Sequence, residues 1–201
     1  PEILNENETI VEETNFETPI VICIDALDVD GDNLTLTALE GPSNGVIGQM
    51  DDGDLCFEYT PNNGFVGLDS IALVICDNGV PSLCDTVYVY INVVPTAPVV
   101  NDDEGSVDED DTVTLAILEN DETNGAALDL NTIDLDPTTT GVQNNITTTE
   151  GTWSVDGLGI LTFVPAPNFN GTANINYTIS DVAGNGSNVG LVSVVVNPVN
   201  D

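Results

Sequence analysis

Pro61-Asn62-Asn63-Gly64-Phe65-Val66-Gly67, followed by Ile71, Leu73, Ile75 and Asp77, is written a second time as Pro165-Ala166-Pro167-Asn168-Phe169-Asn170-Gly171, followed by Ile175, Tyr177, Ile179 and Asp181. The offset is 104 residues throughout. Each copy is a Pro-Asn-Gly turn feeding a run that is apolar at every second position, the pattern of a strand with one buried face. Upstream, Leu4-Asn5 with Val11-Glu12-Glu13 matches Val100-Asn101 with Val107-Asp108-Glu109 at an offset of 96. Self-similarity at this spacing divides the chain into two homologous domains, residues 1–96 and 97–201, which meet near Pro95-Thr96-Ala97-Pro98.

Working outward, the other apolar runs are also strand-like. In the first domain they are residues 8 to 11 and 19 to 25, Leu34-Thr35-Leu36-Thr37, Leu55 to Tyr59, Ser70 to Cys76 and Thr86 to Val93. In the second they are Thr112 to Leu118, Trp153 to Val155, Ile160 to Val164, Ala173 to Ser180 and Leu191 to Asn197, with Asp156-Gly157-Leu158-Gly159 as a hairpin turn. Residues 120 to 150, rich in Thr and Asn, give the weakest pattern. Turn residues recur every 8 to 12 positions and no segment has a helical period. The expected fold is all-β, with two tandem Greek-key sandwiches of about seven strands each. High acidity with few aromatics is also the composition of disordered chains, but here 41% of the residues are hydrophobic and they fall in alternating runs.

The formal charge is −35, with no lysine, arginine or histidine. Such a chain has nothing to offer nucleic-acid phosphates or an anionic membrane. It also has no Schiff-base lysine, no lysine for an isopeptide crosslink and no trypsin site. These properties suit a protein outside the cell. Cys23, Cys56, Cys76 and Cys84 all fall in the first half, with no CxxC and no histidine, which argues against zinc and for two disulfides. Cys76 and Cys84 flank one loop and could close a hairpin, leaving Cys23 with Cys56; three connectivities are open, as are buried free thiols. The chain has no signal peptide, no initiator Met and no apolar run long enough to cross a membrane, and so reads as a mature or excised piece.

Asp28-Val29-Asp30-Gly31-Asp32-Asn33 places three carboxylates at alternate positions around one glycine. Two carboxylates about 4 Å apart repel by roughly 1 kcal/mol in water and about 4 kcal/mol at an effective dielectric near 20. With no cationic side chain available, a hard divalent cation bound through oxygen, Ca²⁺, is the expected counter-ion, and a solvated turn is the alternative. The loop is not an EF-hand: counted from Asp28 the glycine stands fourth and the twelfth residue is Leu39.

Ile10-Val11-Glu12-Glu13, Ala26-Leu27-Asp28-Val29-Asp30-Gly31-Asp32, Tyr59-Thr60-Pro61 with Gly64-Phe65-Val66-Gly67, Cys76 to Leu83, and Val196-Asn197-Pro198-Val199-Asn200-Asp201 together resemble the cadherin-like and immunoglobulin-like tandem modules of large bacterial surface proteins. The resemblance spans both domains and is patchy between these motifs. In such arrays calcium sits at each junction between domains. The resemblance therefore implies that Asp28, Asp30 and Asp77, with Asp32 as a further candidate, face whatever precedes, and that Glu109, Asn197, Asn200 and Asp201 face whatever follows. Glu13 stands at the matching acidic end of the first domain's first strand. In an immunoglobulin-type sandwich the second and fifth strands are neighbours, which suits a Cys23 to Cys56 bridge. Pro95-Thr96-Ala97-Pro98 carries no carboxylate, and Glu119-Asn120-Asp121-Glu122 stands where the first domain has its acidic loop, so calcium is not implied at this internal junction. Joining the last residues to the first gives Val-Asn-Asp-Pro, the linker pattern, and suggests a unit of a longer array.

The expected function is a structural repeat unit of an extracellular fibre or adhesin stalk, stiffened by calcium and disulfides, with neighbouring copies as head-to-tail partners and no enzymatic activity. Carboxylate pairs are plentiful, but a small sandwich rarely builds the cleft a glycosidase acid needs. The alternative is a carbohydrate- or protein-binding module; Trp153, Tyr88 and Tyr90, the aromatics that could stack on sugar, read as core or strand-face residues. A third possibility is a polymer in which residues 1 to 14 complete a neighbour's sheet. Glycans could also be attached: Asn7, Asn33, Asn145, Asn170, Asn176 and Asn185 head Asn-x-Ser/Thr triplets, and Ser70, Thr86 and Thr112 sit in Asp-Ser/Thr-aliphatic triplets that resemble a bacterial O-glycosylation signal.

Overall fold

The computed structural model describes residues 1–4, 8–50 and 53–200, and among these the extended elements are strands, with no α-helix. The chain divides into two compact units, Pro1–Pro95 and Thr96–Asp201.

The first unit contains β1 (Glu2–Ile3), β2 (Thr9–Asn15), β3 (Ile20–Cys23), β4 (Ala26–Leu27), β5 (Leu34–Glu40), β6 (Gly45–Ile47), β7 (Cys56–Pro61), β8 (Gly67–Asp77) and β9 (Cys84–Val94). They form a four-stranded sheet in the order β2-β9-β8-β5, a three-stranded sheet β3-β7-β6 and a short ribbon β1-β4. Alternation along β8 and β9, broken only by buried Ala72, buries Ile71, Leu73 and Ile75 with Val87, Val89, Ile91 and Val93. Ile22, Phe57 and Tyr59 from the second sheet complete the core. This is a sandwich because each sheet has one apolar face to hide, and the two faces hide each other.

The second unit contains β10 (Asp103–Asp108), β11 (Val113–Ala116), β12 (Leu128–Asp134), β13 (Asn145–Thr147), β14 (Gly151–Val155), β15 (Ile160–Pro165), β16 (Gly171–Asp181) and β17 (Gly190–Asn197). Two four-stranded sheets, β10-β17-β16-β12 and β11-β15-β14-β13, enclose its core. Trp153 is fully buried there and stacks on Phe163 with ring centroids 4.0 Å apart. It is a core residue and offers no surface to a sugar.

In both units the first long strand runs parallel to the last, β2 beside β9 and β10 beside β17. The segment over residues 9–14 is thus spent on its own unit's sheet. These pairings also correct the upstream offset. Gly67 pairs with Val93 and Gly171 with Val196, which aligns the last strands; Val11 opposite Tyr90 then corresponds to Glu104 opposite Ser193. The first strands are therefore related by 93 residues rather than 96, and the residue equivalent to Glu109 is Phe16, whose N–H donates to Val94 O (2.8 Å) as that of Glu109 donates to Asn197 O (2.9 Å). The Val-acid-acid triplets match as letters but lie out of structural register.

Two disulfides, Cys23–Cys56 and Cys76–Cys84, join directly opposed residues of β3 with β7 and of β8 with β9. Each staples neighbouring strands of one sheet. Cys23 lies between buried Ile22 and Ile24, so it points outward, away from the core.

Candidate metal site

The loop after β4 is shaped by Asp28. Its Oδ1 accepts the N–H groups of Asp30 and Asp32, both at 3.0 Å, and Gly31 takes the positive φ (80°) that this tight turn requires. The loop after β8 is shaped the same way by Asp77, whose Oδ1 accepts from Gly79 N (3.1 Å) and Leu83 N (2.9 Å). Asn78 ties the two loops together, its side-chain oxygen accepting from Asn33 N at 3.0 Å.

Each aspartate thus uses one oxygen locally and turns the other outward to a common point. The α-amine of Pro1 occupies that point, 3.3 Å from Asp28 Oδ2 and 3.7 Å from Asp77 Oδ2. No Lys, Arg or His side chain exists in the sequence to take that place. Hydrogen bonds from Asp32 and Asp30 N–H, together with the amine, hold the Asp28 carboxyl below the usual carboxylate range against the opposing effect of burial. Asp32 adds a nearby oxygen: a Cβ on Gly79 would lie 2.7 Å from Asp32 Oδ2 and 3.3 Å from Asp77 Oδ1. Asp30 contributes its N–H to the turn while its residue stays exposed. Two carboxylate oxygens converging on a cation suit the hard-oxygen chemistry of Ca²⁺, but Ca²⁺ takes six to eight ligands. Among the described residues no group of three or more His, Cys, Asp or Glu side chains is gathered closely enough to hold a metal.

The remaining candidates stand on other segments of the chain. Glu13 is exposed on β2 and accepts from Asn92 Nδ2 at 3.2 Å. Glu109 is buried and accepts from Val199 N at 2.7 Å, and Asn197 Nδ2 donates to Asp108 Oδ1 at 3.2 Å. Asn200 is exposed beyond β17, and Asp201 lies outside the described residues, as does Asn7. Asp181, the second-unit counterpart of Asp77, spends both oxygens on Asn185, accepting from its N–H and its side-chain amide at 2.8 Å each. Burial would raise its pKa, but these bonds and the Ala183 and Gly184 N–H groups hold it low. Of the candidate glycosylation residues, Ser70 and Thr112 are exposed and Thr86 is half-buried.

Two carboxylate clusters were not singled out in the sequence. Asp69 is buried and accepts from Ser43 N (3.0 Å), Asn44 N (2.8 Å), Ser70 N (2.9 Å) and Tyr59 Oη (3.0 Å). In the second unit the Tyr177 hydroxyl lies within 3.2 Å of Asn101 O, Ile117 O and both oxygens of Asp121, although it has one proton to donate. Beside it, Asp103 Oδ2 is buried without a hydrogen-bond partner. Burial, followed by the charges of Asp121 and Asp102, pushes Asp103 up to about 6. The signal for this cluster was present as two acidic runs, Asn101-Asp102-Asp103 and Glu119-Asn120-Asp121, but their meeting is a product of topology.

A family model described as the bacterial Ig domain matches residues 1–92 and again residues 95–195. No curated protein matches the chain. Among solved structures, a human CDH23 EC21-23 chain is 16% identical with a TM-score of 0.53, the match covering 94% of this chain and 61% of that one. Mouse cadherin-23 EC22-24 is 20% identical with a TM-score of 0.48, covering 98% and 66%. An endo-fucoidan hydrolase of glycoside hydrolase family 107 is 19% identical with a TM-score of 0.36, covering 95% of this chain and 28% of that one. The chain thus spans less than two thirds of the length of each of these structures. At 16% identity the likeness to the CDH23 chain is one of fold alone.

Proposed function

The chain belongs to the bacterial Ig domain family, and from that premise we propose that it is a non-catalytic structural repeat unit of an extracellular fibre or adhesin stalk, its junctions stiffened by Ca²⁺ and its first domain by disulfides. The observation that carries this reading is the convergence of Asp28 Oδ2 and Asp77 Oδ2 on one cationic centre. Asp28, Asp77 and Asp32 would supply one wall of a calcium site. Glu109, Asn197, Asn200 and Asp201 of a preceding copy would supply the other. Bound there, Ca²⁺ would cancel the repulsion between the carboxylates of successive copies and hold the angle between them.

The division of labour within each aspartate supports this reading. Because Oδ1 of Asp28 and Oδ1 of Asp77 are tied to backbone N–H groups, the outward oxygens are fixed before any metal arrives, which lowers the ordering cost of binding. The internal boundary differs in sequence: Phe16 stands where the second unit has Glu109, and the segment carries Pro95 and Pro98, which favour extended backbone, and no carboxylate.

Calorimetric titration of Ca²⁺ into the 201-residue chain and into two copies joined head to tail tests this. The joined chain is expected to gain a site at least tenfold tighter than anything in the single chain, and Asp28→Asn or Asp77→Asn in the second copy should abolish it. Equal affinities in the two proteins, with no change in melting temperature on chelation, would remove the proposal.

A further inference from the structure

The outer face of the β2-β9-β8-β5 sheet is unlike the rest of this acidic surface. Tyr88 and Tyr90 alternate along β9 with buried Val87, Val89 and Ile91, so both rings point outward, 50% and 37% exposed. They stand about 7 Å apart along the strand. Register places Val11 (72% exposed) and Ser70 on either side of Tyr90, and Leu68 (64% exposed) beside Asn92 one step further along β9. The outward-facing carboxylates of these four strands are Glu13 and Glu40, on the two edge strands, and Glu13 is already engaged by Asn92. The centre of the sheet is therefore apolar, aromatic and hydroxyl-bearing, and free of charge.

The fold does not require this decoration. In the second unit the same sheet positions hold Leu191 and Ser193 in place of Tyr88 and Tyr90, and Glu104 in place of Val11. That unit builds its sandwich without them. An outward Tyr adds nothing to the core, and two in succession on a flat face suit a ligand that stacks.

Charge selects the ligand. A polyanion would meet a chain of −35 with no basic side chain to receive it, and a second copy of the chain has the same charge and no basic side chain to offer. A cationic partner would be drawn to the carboxylate-rich surfaces elsewhere. An uncharged polymer with apolar ring faces and many hydroxyls meets neither objection. We propose that this face binds a neutral polysaccharide, with Tyr88 and Tyr90 stacking on sugar rings and Ser70 and Asn92 hydrogen-bonding its hydroxyls.

Affinity electrophoresis of the full chain through gels containing hydroxyethyl cellulose, laminarin or galactomannan, with alginate as the polyanion control, tests the proposal. At least one neutral polymer should retard the chain and alginate should not. Retardation should persist in excess chelator, which separates this face from the calcium reading. Tyr90→Ser with Tyr88→Leu, the residues the second unit carries there, should weaken binding about tenfold or more. Tyr90→Phe should retain it. Circular dichroism melting verifies that the double variant folds, and Val11→Asp, an edge-strand change that introduces charge beside Tyr90, gives a second test with the same expected loss. The proposal fails if no neutral polymer retards the chain or if the double variant binds as well as the parent. It also fails if the face drives self-association, seen by sedimentation and lost in the variant.

Discussion

Asp69 and Asp103 show two fates for an enclosed carboxylate in a chain that has no cationic side chain. Asp69 is surrounded by four donors, and Tyr59, whose own proton is held by burial and by Asp69, bridges it to the opposite sheet. Asp69→Ala would strand Ser43 N–H, Asn44 N–H and the Tyr59 hydroxyl, and is expected to cost about 3 kcal/mol, read from the denaturant midpoint at constant slope. At Asp103 the buried Oδ2 lacks a donor, and burial, then the Asp121 and Asp102 charges, outweigh the hydrogen bonds of Tyr177 and Asn120 and place its pKa near 6. Its folded pKa is raised above the unfolded value near 4, so its contribution to stability is fully present below about pH 4 and is lost as pH rises through about 6. The second unit should melt higher at pH 5 than at pH 7.5, and Asp103→Asn should raise the midpoint at pH 7.5 and flatten the dependence. Trp153, the chain's single tryptophan, makes fluorescence report this unit alone. A midpoint that falls on acidification in parent and variant alike would refute the assignment.

At the scale of elements, what was legible followed period-two alternation. β8 and β16, 11 residues each, share five alternate buried positions, differing where Ala72 is buried and Asn176 exposed, and are readable as copies from the sequence. β12 was not, because its register shifts between Asp129 and Asp134 and its residues are mostly half-buried, so no clean alternation marks it. The first-strand offset misled for a related reason: acidic and apolar letters recur too often in this composition to fix register, which backbone hydrogen bonding sets. Within the candidate site, Asp28 and Asp77 were visible from the acidic loop and the repeat. Their orientation was not, since it depends on which oxygen each turn consumes. The disulfides give an element-scale prediction. Cys23–Cys56 closes a loop of sequence separation 33 and Cys76–Cys84 one of 8, so chain entropy assigns about 4 and about 3 kcal/mol. Cys23→Ser with Cys56→Ser should therefore destabilise the first unit by about 1 kcal/mol more than Cys76→Ser with Cys84→Ser, measured by denaturant unfolding of each double variant.

For the whole molecule the dominant quantity is the charge of −35 with no basic side chain, since every carboxylate brought near another must be answered by solvent, by backbone N–H groups or by a cation from outside. Inside each unit the answer is the N–H group: Asp28, Asp77, Asp69, Asp134 and Asp156 all accept from the backbone. If copies adjoin head to tail as proposed, no such donors are guaranteed between them, and a soluble cation is the remaining answer on that reading. Monovalent salt and Ca²⁺ should then act differently. Raising NaCl at low ionic strength screens the general repulsion and should raise the melting temperature of single and joined chains alike. Millimolar Ca²⁺ at fixed ionic strength should raise it further in a head-to-tail pair than in the single chain, and the excess should vanish with Asp77→Asn in the second copy. If Ca²⁺ and an equal ionic strength of NaCl were interchangeable in the joined chain, the ion would be screening charge rather than bridging copies, and Asp28 and Asp77 would be turn-forming residues alone.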